Sequence, residues 1–382
     1  MTYCDPFYGE WELPPAIEKL VHTKEMVRLR NITQSVMPNS LMPCGTIPSR
    51  FHHGLGACFL STILLKANPA LKDYEALLPV AALLHDAGNP PFSHLSEYFL
   101  KEITGKDGES FLEEILDGSE TEKVLRELGL SVAQVVSFVT GNAKPVSEAL
   151  NGSIDVDNLD NVFRYDMAAS VGAPLFMPIW IARSFRFENG AWLILDECRE
   201  ETEKWQAARA MVYGAIYGKP HLNVAMMMYR AVELAFLQDE LSKEFFFLDD
   251  SGAVNYLLTQ CNPKTAHLVE KALRWEWFEE VVSVESATPA NAIKLLASHR
   301  SGRTKLAGLI SQTLGIPDEK ISVYVGKGKD KRRITIPFVK KDGTTYLDQC
   351  DDSPIYRVKV YIAPDMTGKK NEIAEFVQEQ IR

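Results

Sequence analysis

The segment Leu83-Leu84-His85-Asp86-Ala87-Gly88-Asn89-Pro90-Pro91-Phe92-Ser93-His94 ends an apolar run in an adjacent imidazole and carboxylate. Gly88, Pro90 and Pro91 then stop a helix. Packing alone needs no titratable pair at that place, and burying one without partners is costly. A divalent metal removes the cost, because imidazole nitrogen and carboxylate oxygen ligate manganese, iron, zinc, nickel or magnesium. Donors of the same types flank the segment. Upstream, Arg50-Phe51-His52-His53 opens a helix read over His53–Leu65, with Arg50 one turn from His53 and His52 as a packing neighbour. Downstream, Asp157, Asp160, Asn161 and Arg164 fall at i, i+3, i+4 and i+7, a polar stripe on a helix read over Asp155–Ala168. With Asp155 included, three acidic groups crowd one turn and a half, which favours a cation nearby.

Helices must carry these residues, and the chain supplies them. From about residue 50 to 310, apolar residues recur three and four apart. Helices are read over Tyr74–His85, Glu109–Leu116, Glu120–Leu128, Val132–Thr140, Glu200–Ile216 and Asn223–Leu237, with another over Leu95–Leu100 that His94 opens. Residues 185–195 break the pattern: two alternating runs around Asn189-Gly190 predict a β-hairpin. Beyond Ile316-Pro317 the segments Ile321–Val325, Arg333–Val339 and Ile355–Ile362 read as strands, and Asn371–Ile381 as a closing amphipathic helix. The expected fold is mainly α, with an N-terminal extension (1–45) around a helix Ile17–Leu29 and turns at Pro14-Pro15 and Met42-Pro43, a helical domain (46–315), and a small C-terminal α/β domain (316–382).

Composition is that of an ordinary globular protein, 46% hydrophobic and 24% charged over 382 residues. A net charge of −10 argues against a surface built wholly for nucleic acid, while a local cation can still attract a small anion. Lys327, Lys329, Lys331, Arg332, Arg333, Lys340 and Lys341 lack P-loop spacing and read as a solvated hairpin face, with a nucleic-acid contact over 327–341 as the alternative. The apolar run Leu77–Leu84 is far too short to cross a membrane. Six scattered cysteines without a CxxC pair, and no signal-like start at Met1-Thr2-Tyr3-Cys4, point to a reduced, cytoplasmic setting.

Arg-Phe-x-His at 50–53, His-Asp at 85–86, Pro-Phe-Ser-His at 91–94 and Asp-x-Asp-x-x-Asp at 155–160 come in an order that resembles the HD superfamily of metal-dependent phosphohydrolases. Within it the chain resembles the deoxynucleoside triphosphate triphosphohydrolase branch, over 50–98 and 152–172, and more weakly over 207–231 through Arg209, Tyr213, Tyr217 and Pro220-His221. The resemblance implies an HD-domain helical bundle with one divalent metal per chain on His53, His85, Asp86 and Asp157. It implies a nucleotide substrate, with Arg50 on phosphate and His94 moving a proton. Glu97 and Glu109 complete the expected catalytic set, and Asn89, Asp160, Arg164 and Tyr217 join Arg50 as substrate contacts. Asp160 with Arg164 reads equally as an intrahelical pair. A homo-oligomer is expected.

The departures from the branch are specific. Asn89 stands where it has a second histidine, and Gly108-Glu109 where it has His-Glu, so the leaving-group histidine is absent. Asn158 and Asn161 replace a Lys and a Tyr, and Met227 is read at the place of a sugar-packing Tyr. The expected reaction is attack of a metal-activated water on phosphorus of a (deoxy)nucleoside triphosphate. The departures predict a weak preference for deoxy over ribo sugars, or a substrate with fewer phosphates. A nucleotide monophosphatase or cyclic-nucleotide phosphodiesterase on the same site, and a non-catalytic nucleotide sensor, are the alternatives.

Overall fold

The computed structural model describes all residues except 36, 37, 42–46, 219, 299, 300, 329–333, 350–354 and 382. The Met42-Pro43 turn and the middle of the basic segment lie outside the described residues. The chain opens with a hairpin, β1 (Thr2–Asp5) and β2 (Gly9–Glu12), and two short helices, α1 (Pro15–Leu20) and α2 (Lys24–Leu29). One helix was expected over Ile17–Leu29; it breaks at Thr23, which is extended and turns its hydroxyl back to donate to the Leu20 carbonyl at 2.8 Å. Leu13, Ile17, Leu20, Met26 and Leu29 are buried in the main core, so this segment is built into the helical body.

That body continues with α3 (Arg50–Ala67), α4 (Leu77–Leu84), α5 (Glu97–Thr104), α6 (Gly108–Leu116), α7 (Glu120–Glu127), α8 (Val132–Val139), α9 (Glu148–Asn151) and α10 (Val156–Ala169). After α11 (Pro178–Ser184) and the hairpin β3 (Phe185–Glu188) and β4 (Ala191–Leu195) come α12 (Arg199–Ile216), α13 (His221–Leu237), α14 (Asp250–Thr259) and α15 (Pro263–Leu273). The expected hairpin is present, with Glu188 opposite Ala191. Three helices position the site. Leu78–Leu84 of α4 is buried on every side, as a central helix must be. Against it lies α3, and a Cβ on Gly54 would meet the Leu83 carbonyl at 2.6 Å, so glycine lets the two backbones approach. On its other side α3 meets α10, where Asp155 caps the helix by accepting from the Asn158 amide at 2.7 Å.

A second core begins earlier than residue 316. Val281 and Val282 of β5 (Glu279–Ser286), Ile293 of α16 (Asn291–Ser298) and Leu306 and Ile310 of α17 (Ser301–Leu314) pack with β6 (Ile321–Gly328), β9 (Ile355–Ile362) and α18 (Lys370–Gln380). The sheet order is β5-β9-β6, all antiparallel. The boundary expected at 316 thus falls inside this layer; β5 is an acidic strand, Glu279-Glu280 to Glu285, within a helix-rich stretch, and local pattern does not mark it. Nor does all of 316–382 belong to it. β7 (Ile336–Val339) pairs parallel with β4 and antiparallel with β8 (Thr345–Asp348), extending the hairpin to β3-β4-β7-β8, and Ile336 and Phe338 join the main core. The fold is mainly α with a small α/β part. Among the described residues no helix is long and apolar enough to cross a membrane.

Candidate metal centre and active site

Donor atoms of His53, His85 and Asp157 lie within 4.8 Å of one another where α3, the end of α4 and the first turn of α10 meet, and Asp86 stands beside the two imidazoles. His53 Nε2 lies 3.0 Å from Asp157 Oδ1 and 3.7 Å from Asp86 Oδ2. His85 Nε2 lies 3.6 Å from Asp157 Oδ1 and 3.5 Å from Asp86 Oδ2. Donors held about 2.1 Å from one ion stand roughly 3.0–3.4 Å apart, which these separations approach. Both rings are set for the task by their other nitrogen. His85 Nδ1 donates to the Ala82 carbonyl at 2.8 Å, and His53 Nδ1 donates to Asp160 Oδ2 at 2.7 Å. Each Nε2 is thereby left with its lone pair toward the centre. His85 Nε2 is buried and has no hydrogen-bond partner, the state of a ligand nitrogen rather than of a satisfied core histidine.

Electrostatics agree. Once both imidazoles are deprotonated for ligation, they and the two carboxylates would carry two negative charges, which a divalent ion neutralises. Burial alone would lower the His85 imidazole, yet Asp86 and Asp157 outweigh it and raise it to about 10. Burial alone would raise Asp157; the two imidazoles hold it well below the usual carboxylate range. The residues present fit a divalent metal.

The remaining groups fall into three sets. Arg50, buried, gives Nη1 to Asp86 Oδ2 at 2.7 Å and Nε to Ser93 Oγ at 3.1 Å. Two of its five N–H donors thus hold protein groups, which leaves Nη2 and the second N–H of Nη1 for a phosphate. Asn89 donates to Asp86 Oδ1 and is buried, so it orients a ligand and is not an open substrate contact. Asp160 and Arg164, expected as substrate contacts, are closed off from any substrate. They are 0% and 1% exposed, and Arg164 bonds Asp160 and Asp5 at 2.9 and 2.8 Å. They lie beneath His53, on the face of α10 away from any substrate, because the stripe points into the bundle. His94, with 63% of its side chain exposed, stands at the mouth and meets Glu97 at 3.1 Å. Glu109 is exposed at the start of α6, near enough to feel the charges of His85, Glu97 and Asp157. A Cβ on Gly108 would meet Asn89 Oδ1 at 2.9 Å and Glu97 Oε1 at 3.3 Å, so these two fill the place where the resembled branch has its histidine.

The turn carrying Phe92 and Ser93 is unusual: both are non-glycine residues with φ of 61° and 49°. Such strain persists only where neighbours hold it. Asp250 accepts from the Phe92 amide at 2.8 Å and from the Thr33 amide and hydroxyl at 3.0 Å each. Ser93 Oγ donates to the Thr33 carbonyl at 3.0 Å, and Arg28 donates to the Ala87 and Asn89 carbonyls at 3.1 and 2.6 Å. Sequence reasoning missed Arg28, Thr33 and Asp250. Asp249-Asp250 shows only a helix-start signature, with Asp249 accepting from Gly252, and nothing local says that Asp250 reaches back to Phe92.

A cavity of about 300 Å³ opens beside Arg50 and His94. Tyr213 and Tyr217 of α12, Met226 and Tyr229 of α13, and Arg303 and Tyr324 from the second layer line it. Met227 is 1% exposed and packs in the core, so the loss of a sugar stack read there does not follow; tyrosines remain in the cavity. Asn161 lines it and accepts from Gln34 at 2.8 Å, whereas Asn158 and Arg209 face a separate cavity on the other side of α10. Of the basic segment, Lys341 pairs with Glu197 at 2.8 Å and Lys340 lies over Tyr346.

No family model matches the sequence. The chain is 28% identical over 273 residues to the uncharacterized protein MJ1154 of Methanocaldococcus jannaschii, covering 69% of this chain and 56% of that one. It is 25% identical over 181 residues to the Dictyostelium discoideum homolog of the deoxynucleoside triphosphate triphosphohydrolase SAMHD1, covering 42% and 35%. In fold it is similar to a phosphohydrolase from Bacteroides thetaiotaomicron, with a TM-score of 0.72 at 20% identity over 95% of this chain and 99% of that one. The chain spans about half the length, or less, of these curated relatives. These likenesses, beside the ordered motifs, support an HD-superfamily phosphohydrolase.

Proposed function

We propose that the chain is a metal-dependent phosphohydrolase acting on nucleotides, with one divalent ion held by His53, His85, Asp86 and Asp157. The observation that carries this is the convergence of two Nε2 atoms on the Asp157 carboxylate, with Asp86 beside both rings and both Nδ1 atoms engaged, next to a cavity lined by Arg50 and tyrosines. The relatives named as triphosphohydrolases support nucleoside triphosphates as the substrate class. When bound, a divalent ion supplies Lewis acidity toward a phosphate oxygen and lowers the pKa of a water.

The chain's own residues do the rest. Arg50 Nη2 donates to a phosphate oxygen while its other nitrogens fix Asp86 and Ser93. Glu97, in contact with His94 and within reach of the space beside Gly108, takes over proton delivery to the leaving group from the missing histidine. The tyrosines of α12 and α13 exclude water and flank the nucleoside. The test is a panel of ribo- and deoxynucleotides incubated with metal-loaded protein, with products identified. We expect metal-dependent release of tripolyphosphate or phosphate, lost together with the metal in Asp157→Ala. Nucleotide binding without turnover by fully loaded protein would favour the sensor alternative and overturn the enzyme.

A further inference from the structure

The cavity beside the metal centre is composite, and its second-layer wall is built around one arginine. Arg303 of α17 donates from Nε to the Val325 carbonyl at 3.1 Å. Its guanidinium lies 4.6 Å from the ring centre of Tyr324 and 5.3 Å from that of Tyr229. The plane is therefore held by one hydrogen bond and two rings, and the terminal nitrogens make no hydrogen bond or ion pair among the described residues. Arg303 is half-buried and lines the same cavity as Arg50. Arg50 marks the end nearest the metal, through Asp86. Arg303 lies against Tyr229 and Tyr324, and Tyr217, Leu222 and Met226 line the same cavity, a setting for a flat ring.

Resting on the nucleotide reading above, we infer that Arg303 reads the nucleobase, and that the site favours guanine over adenine. A fixed, flat fork with two free donor groups matches two acceptors side by side. Guanine offers O6 and N7 in that arrangement, while adenine puts an amino donor where O6 would be. A good bidentate contact of this kind discriminates by about five- to a hundredfold. The second layer would then be part of the substrate site, and its attachment to the helical body through Arg230 of α13, which donates to the Asp318 carbonyl at 2.9 Å, would help keep that wall in place.

The experiment is equilibrium binding of non-hydrolysable α,β-imido analogues of GTP, ATP and 7-deaza-GTP, with inorganic tripolyphosphate, to metal-loaded wild type and Arg303→Met. Methionine keeps an unbranched stem between the rings and removes the donors. We expect the wild type to bind the guanosine analogue at least fivefold tighter than the adenosine one, and Arg303→Met to erase that difference by weakening guanosine alone. The 7-deaza analogue, which lacks one acceptor, should weaken likewise on wild type, a readout independent of how the variant folds. Equal binding of both bases by the wild type overturns the inference. So does a loss in Arg303→Met shared equally by both nucleotides and tripolyphosphate, which would make Arg303 a phosphate contact. If the wild type binds no nucleotide, the nucleotide reading itself falls; if it binds and turns over nucleotides without base preference, only the role of Arg303 falls.

Discussion

Replacing Gly56 with alanine should destabilise the protein, although the same change inside a helix ordinarily stabilises by about 1 kcal/mol. Gly56 lies within α3 one turn from His53, and a Cβ there would stand 1.8 Å from Asp160 Oδ1 and 2.5 Å from Arg164 Nη2. The carboxylate must withdraw by more than an ångström, and it is fully buried with Arg164 bonded to both its oxygens. Withdrawal breaks the 2.7 Å bond to His53 Nδ1 and distorts the ion pair. A charge-assisted hydrogen bond contributes about 1.5–3 kcal/mol. Asp5 still partners Arg164, so the larger cost of an orphaned buried charge is partly avoided. Set against the propensity gain, the net loss is about 0.5–2 kcal/mol. Gly308→Ala in α17, where nothing lies within 4 Å, is the control and should gain about 0.5–1 kcal/mol. Urea unfolding of metal-free protein at pH 7 measures both. Because Asp160 sets the orientation of His53, Gly56→Ala should also weaken metal binding about 10- to 100-fold in a competition titration against a chelator. Parallel stabilisation of the two variants, with metal affinity within twofold of wild type, would refute the role given to Asp160.

Elemental analysis of protein purified without chelator should find about one divalent metal per chain, and Asp86→Ala and Asp157→Ala should each lose metal and activity together; turnover that survives metal loss sinks the proposed site. Arg50→Lys keeps the charge but cannot hold Asp86, Ser93 and a phosphate oxygen at once, so kcat/KM should fall by about 10- to 150-fold, and an unchanged value would show that Arg50 does not act on substrate. Asp250, pushed up to about 6 by burial from an ordinary 3.8, binds its proton more tightly in the folded state. Its contribution to stability is complete below about pH 4 and is lost as pH rises through 6. The stability of wild type relative to Asp250→Asn should accordingly drop by about 1 kcal/mol between pH 5 and pH 7, and a difference that stays flat in urea melts at both values would contradict this.

Local spacing determined a good deal about this protein. The adjacency of His85 and Asp86 at a helix end, the single turn between Arg50 and His53, and Asp157 at the start of another helix follow from patterns a few residues long. So do the β3-β4 hairpin and the mainly helical body, because apolar periodicity and turn chemistry act over short range. Tertiary structure decided which way each polar group faces. Asp160 and Arg164 lie on the same helix as Asp157 with similar spacing, yet they turn inward because Gly56 opens a place for them behind His53. Met227 and Met226 are neighbours in sequence, and the packing of α13 decides that the second lines the cavity while the first fills the core. The strained Phe92-Ser93 turn depends on Asp250, and the far wall of the cavity on Arg303 and Tyr324, through contacts that no local pattern encodes. Periodicity states only that a residue lies on a face of its helix; what that face meets is set by helices arriving from more than a hundred residues away, and a polar group's role is fixed by the partner it finds there.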